Sequence, residues 1–335
     1  MKSIVAIAVA LLASSNAWAD EDVHVIRFAT VAPEGSSWAR EFSAFARAVE
    51  TRTNGGVKVK FYYNGKAGSE LEVKERIEKD QLDGTASGGM MCGKVMPSMN
   101  VLRVTGVFQS RGETNYVANQ LRPRLAKEAE ANGYALLGMA ALGASSVFSR
   151  VPIKTMDQLR KVKMWRWDLD EVAIALNKSM GLDIVPLGLE HAGGAYDDGK
   201  VDAFYAIPMA ALAFQWYAQA RYIIDIPGDY LIGCLLLRSK MLDALTPAHR
   251  EVFVSETAKL AVRFNDLGTR QDAQLLGGGV FNRQGIKVLP VSEKLRAEFF
   301  AAARQAREKL DGRMVSKELI KEVLTMLADY RGEHH

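Results

Sequence analysis

VHVIRFATVAPEGSSWAREFSAFARAVETRTNGGVKVKFYY, residues Val23–Tyr63, decides the fold. Val23–Val31 alternates apolar with other residues and is rich in β-branched types, which predicts a strand. Pro33 and Gly35 turn the chain, and Ser36 is placed to cap a helix. In that helix Trp38, Phe42, Phe45 and Val49 fall at i, i+4, i+7 and i+11, one face of a 3.6-residue period. Asn54-Gly55-Gly56 stops it, and VKVKFYY alternates again as a second strand. Strand, helix, strand is the repeating unit of a parallel sheet, and ligands of such sheets bind beyond the C-terminal ends of the strands. Trp38 is core by its period and a candidate cleft wall by its place in the first helical turn.

The same alternation continues outward. Ser69 and Glu72 have the spacing of a capping box for a helix that ends near Asp83-Gly84. In TASGGMMCG, which follows, Ser87, Gly88 and Gly89 let the backbone approach a ligand closely. Neither G-x-x-x-x-G-K-[ST] nor a complete G-x-G-x-x-G occurs there, so a phosphate loop is not indicated. After a charged helical stretch and an apolar strand, YALLGMAALG, the chain crosses to a second region at SRVPIKTM. KVKMWRW (Lys161–Trp167) then reads as a strand with Lys163, Trp165 and Trp167 on one face and Met164 and Arg166 on the other. VDAFYAI is a further buried strand, MAALAFQWYAQARY a helix, and YLIGCLLLRSKML an apolar strand. Strands alternating with helices at these lengths argue a mostly parallel α/β architecture twice over. Thr246-Pro247 opens a helix that continues to about Leu276, where Gly277-Gly278-Gly279 stops it. Some 30 helical residues extend about 45 Å, enough to span two domains. A last strand, GIKVLPVS, and two helices from Ser292 and Lys317 close the chain.

The first residues, MKSIVAIAVALLASSNAWA, combine a lysine, a short apolar run and an A-x-A site. This predicts a secretory signal peptide over residues 1–19, cleaved after Ala19, and hence export to the periplasm. The remainder, about 315 residues, exceeds what one core usually supports. Its formal charge, +4 for the whole chain and +3 without Lys2, is too small to argue for nucleic acid. Cys92 and Cys234 are far apart in sequence; one long-range disulfide and two buried thiols both fit that spacing.

Chemistry-bearing motifs are sparse. No H-x₃-H, H-E-x-x-H or C-x-x-C spacing and no G-x-S-x-G elbow occurs, so no metal site, cofactor or catalytic triad is expected. Asp168, Asp170 and Glu171 have the character of helix-start acids. Aromatic residues are concentrated instead. Trp165 and Trp167 lie on one strand, and Phe204, Tyr205 and Trp216 on a neighbouring segment. Core packing would account for one of these rings; several together point to the walls of an apolar pocket. Arg166 is the candidate anchor for an anionic group, or else an ion-pair partner of Asp168, Asp170 or Glu171.

These landmarks, in order, resemble the DctP-type solute-binding proteins of TRAP transporters over nearly the whole chain. The residues that carry the resemblance are RFATVAPEGSSWA, VKVKFYYNGKAGSELEVKERIEKDQLDG, SRVPIKTMDQLRKVKMW and DDGKVDAFYAIP. The resemblance implies a two-lobe α/β periplasmic binding protein fold, with a hinge cleft and a long helix spanning both lobes. On this basis lobe I comprises 20–147 with 231–282, lobe II comprises 148–230 with 283–330, and 331–335 form a tail. The position of the family's carboxylate-binding arginine falls on Trp165, with Arg166 one residue later. A second family arginine falls near Ala144, and an asparagine near Ala206. In this the chain resembles the branch that carries K-x-W-x-W at this strand and recruits a tetratricopeptide-repeat partner. The implied function is capture of a small organic ligand, largely apolar or aromatic and within reach of an organic acid, for delivery to TRAP-type permease subunits. Trp38, Ser87, Gly88, Gly89, Trp165, Arg166, Trp167, Phe204, Tyr205 and Trp216 are the expected ligand-binding residues. A periplasmic enzyme on a similar scaffold and a ligand-sensing interaction module are the alternatives.

Overall fold

The structure is a computed structural model that describes residues 23–277 and 279–334. The expected signal peptide, residues 1–19, lies outside the described residues. From the N-terminus the chain forms β1 (His24–Ala29), α1 (Ser37–Arg52), β2 (Val57–Tyr62), α2 (Glu70–Glu78) and β3 (Gly84–Ser87). It continues through α3 (Met90–Val95), a 3-10 segment (Pro97–Arg103), α4 (Arg111–Ala131) and β4 (Tyr134–Ala144). The opening unit forms as its pattern predicts. The Ser36 hydroxyl accepts from the Ala39 N–H at 3.2 Å, and Trp38, Phe42, Phe45 and Val49 are buried. Phe45 and Val49 have no exposed surface, and burial of each contributes about 1.5–3 kcal/mol. Asn54 and Gly55, at φ 50° and 84°, take the left-handed conformation that turns the chain back into β2, parallel to β1.

A crossing at Ser145 leads into the second region. There the chain forms β5 (Ser146–Ser149), α5 (Met156–Arg160), β6 (Met164–Trp167), α6 (Glu171–Ser179) and β7 (Ile184–Leu187). Next come α7 (Ala192–Asp197), β8 (Ala203–Ala206), α8 (Pro208–Ala213) and β9 (Tyr222–Ile224). The chain returns along β10 (Tyr230–Arg238), followed by α9 (Ser239–Asp243) and the long α10 (Pro247–Asp272), which ends in a π turn at 273–277. Then follow α11 (Val280–Arg283), β11 (Lys287–Leu289), α12 (Glu293–Glu308) and α13 (Lys317–Glu333). The first sheet has the order β2-β1-β3-β10-β4 and the second β11-β9-β5-β8-β6-β7. Helix α10 packs along β4 and α1 of the first sheet and reaches α8, which follows β8 of the second.

Four features differ from the sequence reading. The sheets are mixed, because β10 runs antiparallel to β3 and β4, and β5 antiparallel to β8 and β9. These are the strands that follow the two crossings, and they enter each sheet from the opposite end. The helix expected over MAALAFQWYAQARY breaks after α8. Gln215 takes φ +60°, and a 3-10 turn, Trp216–Gln219, swings Trp216 back toward the sheet. The final helix packs on α4 and the Pro97–Arg103 segment of the first region, not with the second, because Leu319, Ile320, Val323 and Leu327 bury their faces there. That helix also runs on to Glu333, so most of the expected tail is helical.

Candidate ligand-binding site

Between the two sheets lies a cavity of about 160 Å³, the size range of apolar cavities that accommodate a benzene ring. It opens where parallel strands end. Thr30 and Val31 follow β1, Ser87 and Gly88 end β3, Trp167 ends β6, and Ala206 and Ile207 end β8; all line it. β4 and α10 complete the wall with Ala140, Leu142, Leu260 and Phe264. The surface is mostly hydrocarbon and aromatic, as organic ligands require, with a few polar groups at one side.

The aromatic walls come from both regions. Trp38 reaches the cavity from the first turn of α1 and Trp216 from the 3-10 turn after Gln215. Trp216 meets Trp165 edge-on, centroids 4.9 Å apart, and stacks on Phe214 at 4.9 Å. Trp165 is fixed further by its indole N–H, which donates to the Leu187 carbonyl at 3.1 Å. Trp167 lies opposite Gly88. A Cβ on that glycine would sit 3.6 Å from the indole ring, so any larger side chain at 88 would touch it.

The polar side is a four-charge cluster. Arg166 donates to Asp229 at 2.5 Å and lies 3.6 Å from Asp170. Arg103, from the 3-10 segment, donates to both Asp170 oxygens. Asp170 also caps α6, accepting from the Ala173 N–H at 3.4 Å. Burial alone would raise the Asp229 carboxyl, but the charges of Arg166 and Arg103 and hydrogen bonds from Ser145 and Arg166 outweigh it and hold it below the usual aspartate range. Burial opposes the charge on Arg166 too, and Asp229 and Asp170 more than compensate, so its guanidinium is held more firmly protonated than usual. The guanidinium lies over the Tyr205 ring, 4.8 Å from its centroid. The Tyr205 hydroxyl donates to the Ile226 carbonyl at 3.0 Å; burial first, and then the Asp229 charge, push its pKa well above the ordinary value.

Of the residues singled out on sequence, Trp38, Ser87, Gly88, Trp165, Arg166, Trp167, Tyr205 and Trp216 line the cavity together. Phe204 does not. It lies behind the wall, stacked on Phe148 at 4.8 Å and edge-on to Trp216 at 5.8 Å. Gly89 also lies outside the lining, and the glycine N–H groups are already engaged. Gly88 donates to the Glu70 carboxylate at 2.6 Å and Gly89 to the Ser87 hydroxyl at 2.9 Å. Arg166 does reach the cavity although it alternates with the tryptophans, because β6 ends there and both faces of its last residues meet the gap. Arg103, Asp170 and Asp229 were missed as a cluster. A signal existed: Arg103 is a lone charge inside the apolar run VLRVTGVF, and Asp229 stands between Gly228 and an apolar strand. Cys92 and Cys234 form a disulfide that ties α3 to β10, and Cys234 itself lines the cavity. Among the described residues no group of His, Cys, Asp or Glu is arranged to hold a metal ion.

The model of DctP, the bacterial extracellular solute-binding protein family 7, matches residues 28–311, most of the chain and every strand that borders the cavity except the start of β1. The chain belongs to the DctP family. This DctP-family chain is 24% identical over 255 residues to a solute-binding protein of Verminephrobacter eiseniae, an overlap of 75% of each chain. Its fold matches that of the sugar acid binding protein DctPAm from Advenella mimigardefordensis, solved with galactonate. The TM-score is 0.85 at 18% identity, over 92% of this chain and 99% of that one. It also matches a TRAP periplasmic solute-binding protein from Desulfovibrio salexigens solved with orotic acid, with a TM-score of 0.82 at 16% identity over 91% and 99% of the two chains. At these identities the DctP structures establish the shared fold; the cavity residues of this chain must be read for themselves.

Proposed function

We infer that this protein is a periplasmic binding protein that captures a small organic molecule with a largely apolar or aromatic body and delivers it to a TRAP-type permease. The observation that carries the ligand class is the cavity wall: three tryptophans on β6 and the Trp216 turn, with Trp38 opposite, around a space of benzene-like size. The two lobes close on the ligand like a hinge, with Ser145 and Asp229 at the crossings and α10 as the shared brace. The K-x-W-x-W strand supports a tetratricopeptide-repeat partner as well. The solved neighbours with galactonate and orotic acid support a small polar head on the ligand.

Native mass spectrometry of the protein purified from its host, followed by thermal-shift screening, tests this reading. A co-purified compound with an aromatic or alicyclic body, or stabilisation by such compounds, is the expected result. Stabilisation solely by small polar sugar acids or dicarboxylates would sink the apolar-pocket reading.

A further inference from the structure

Every formal charge at the cavity has its counter-charge inside the protein. Arg103 is engaged by both oxygens of Asp170, and Arg166 by Asp229 with Asp170 beside it. All four residues are at most 6% exposed, so bulk water screens them little. Two cations and two anions sum to zero. A further buried carboxylate, Glu70, stands directly behind the Ser87–Gly88 wall. An anionic ligand entering here would leave the site with a net negative charge, and its carboxylate would compete with Asp170 or Asp229 for a guanidinium already engaged.

The unpaired polar atoms of the cavity lining are donors; behind them, in the charge cluster, Asp229 Oδ1 is an unpaired acceptor. Trp38 Nε1, Arg103 Nη1 and Arg166 Nε are buried with no hydrogen-bond partner among the described residues, and all three side chains line the cavity. Each can only donate. Burial of an unpaired donor costs free energy, so the ligand that fits brings acceptor oxygens.

Resting on the proposed apolar-ligand cleft, we propose that the ligand head group is an uncharged acceptor, of the carboxamide or lactam type. In this arrangement Asp170 is the specificity-determining residue, because it occupies on Arg103 the place a ligand carboxylate would take. The opposite design, a carboxylate clamp, would leave at least one arginine uncompensated, and none is.

The test uses matched pairs that differ only in the head group: benzoate and benzamide, nicotinate and nicotinamide, indole-3-acetate and indole-3-acetamide. Binding is followed by tryptophan fluorescence and calorimetry at neutral pH. In the wild-type protein the amide of the best-fitting pair binds at least about tenfold tighter than its carboxylate. Asp170→Asn keeps the helix cap, since asparagine caps as well as aspartate, and frees Arg103; carboxylate affinity rises at least about tenfold and the preference reverses. Adding Arg103→Gln to Asp170→Asn removes that gain, which separates a charge effect from a general loosening of the site. A carboxylate that binds the wild type tighter than its amide, or a ratio unmoved by Asp170→Asn, overturns the neutral-ligand proposal and leaves the apolar cleft standing. Silence of all six probes in all three proteins overturns both.

Discussion

Glu70 and Ser87, 17 residues apart, meet at 2.6 Å: the serine hydroxyl donates to a carboxylate that is only 2% exposed. The same carboxylate accepts from the N–H groups of Gly88 at 2.6 Å and Met91 at 2.7 Å. One acid at the start of α2 therefore shapes the cavity wall that ends β3.

The partners of Glu70 named above are all donors, and glutamine offers them one oxygen in place of two. Glu70→Gln should destabilise the protein by about 2–4 kcal/mol, through lost and mismatched buried hydrogen bonds. Burial, only partly offset by those bonds, raises the Glu70 pKa above its ordinary value of 4.5. A raised folded-state pKa gives stability that is present below the unfolded value and lost as the pH rises through the folded one. The stability gap between wild type and Glu70→Gln should therefore narrow as the pH is raised above 4.5. Urea unfolding across that range measures it; a gap that widens contradicts the assignment.

Asp229→Asn leaves Arg166 buried beside a neutral partner, with only Asp170 at 3.6 Å to balance it. A loss of about 3–5 kcal/mol is expected, the usual result of breaking a buried pair from one side. Here the linkage runs the other way. The folded pKa of Asp229 is depressed, so its contribution is present above its ordinary value of 3.8 and lost as the pH falls below it. Acid titration of stability should be shallower in the variant than in the wild type at that end of the scale.

The Cys92–Cys234 bond closes a segment of 142 residues. A loop of that length restricts the unfolded chain enough for a stabilisation of about 2–5 kcal/mol. Paired Cys92→Ala and Cys234→Ala changes, or reduction, should lower the urea midpoint accordingly. Alkylation of the denatured, unreduced protein should add no mass; labelling of either cysteine would show that the bond is not formed.

Two tryptophans on one strand should separate stability from binding. Trp165 is 3% exposed, hydrogen-bonded to Leu187 and packed on Trp216, so Trp165→Ala should cost about 3–5 kcal/mol as well as ligand affinity. Trp167 is only partly buried and faces Gly88 across the gap. Trp167→Ala should cost about 1 kcal/mol or less while still weakening binding at least about tenfold. Thermal melts alongside titrations of the same samples distinguish the two cases.

Local patterns in the sequence determined a good deal. The 3.6-residue period of α1, the Ser69–Glu72 capping box, the Thr246-Pro247 start of α10 and the clustering of tryptophans are each written in neighbouring residues, and each appears in the structure. The family resemblance adds contiguous motifs of the same kind. Tertiary structure alone decided what those elements enclose. Arg103 meets Asp170 across 67 residues and Arg166 meets Asp229 across 63, and no periodicity links such positions. The break at Gln215, which turns an expected helix into the support for Trp216, falls where no helix-breaking residue stands, and beyond it Trp216 packs against Trp165 and Phe214. Side-chain type and spacing specify elements because those interactions are local. The partner of a buried charge depends on which lobes meet and where, and that is set only when the two sheets close on each other.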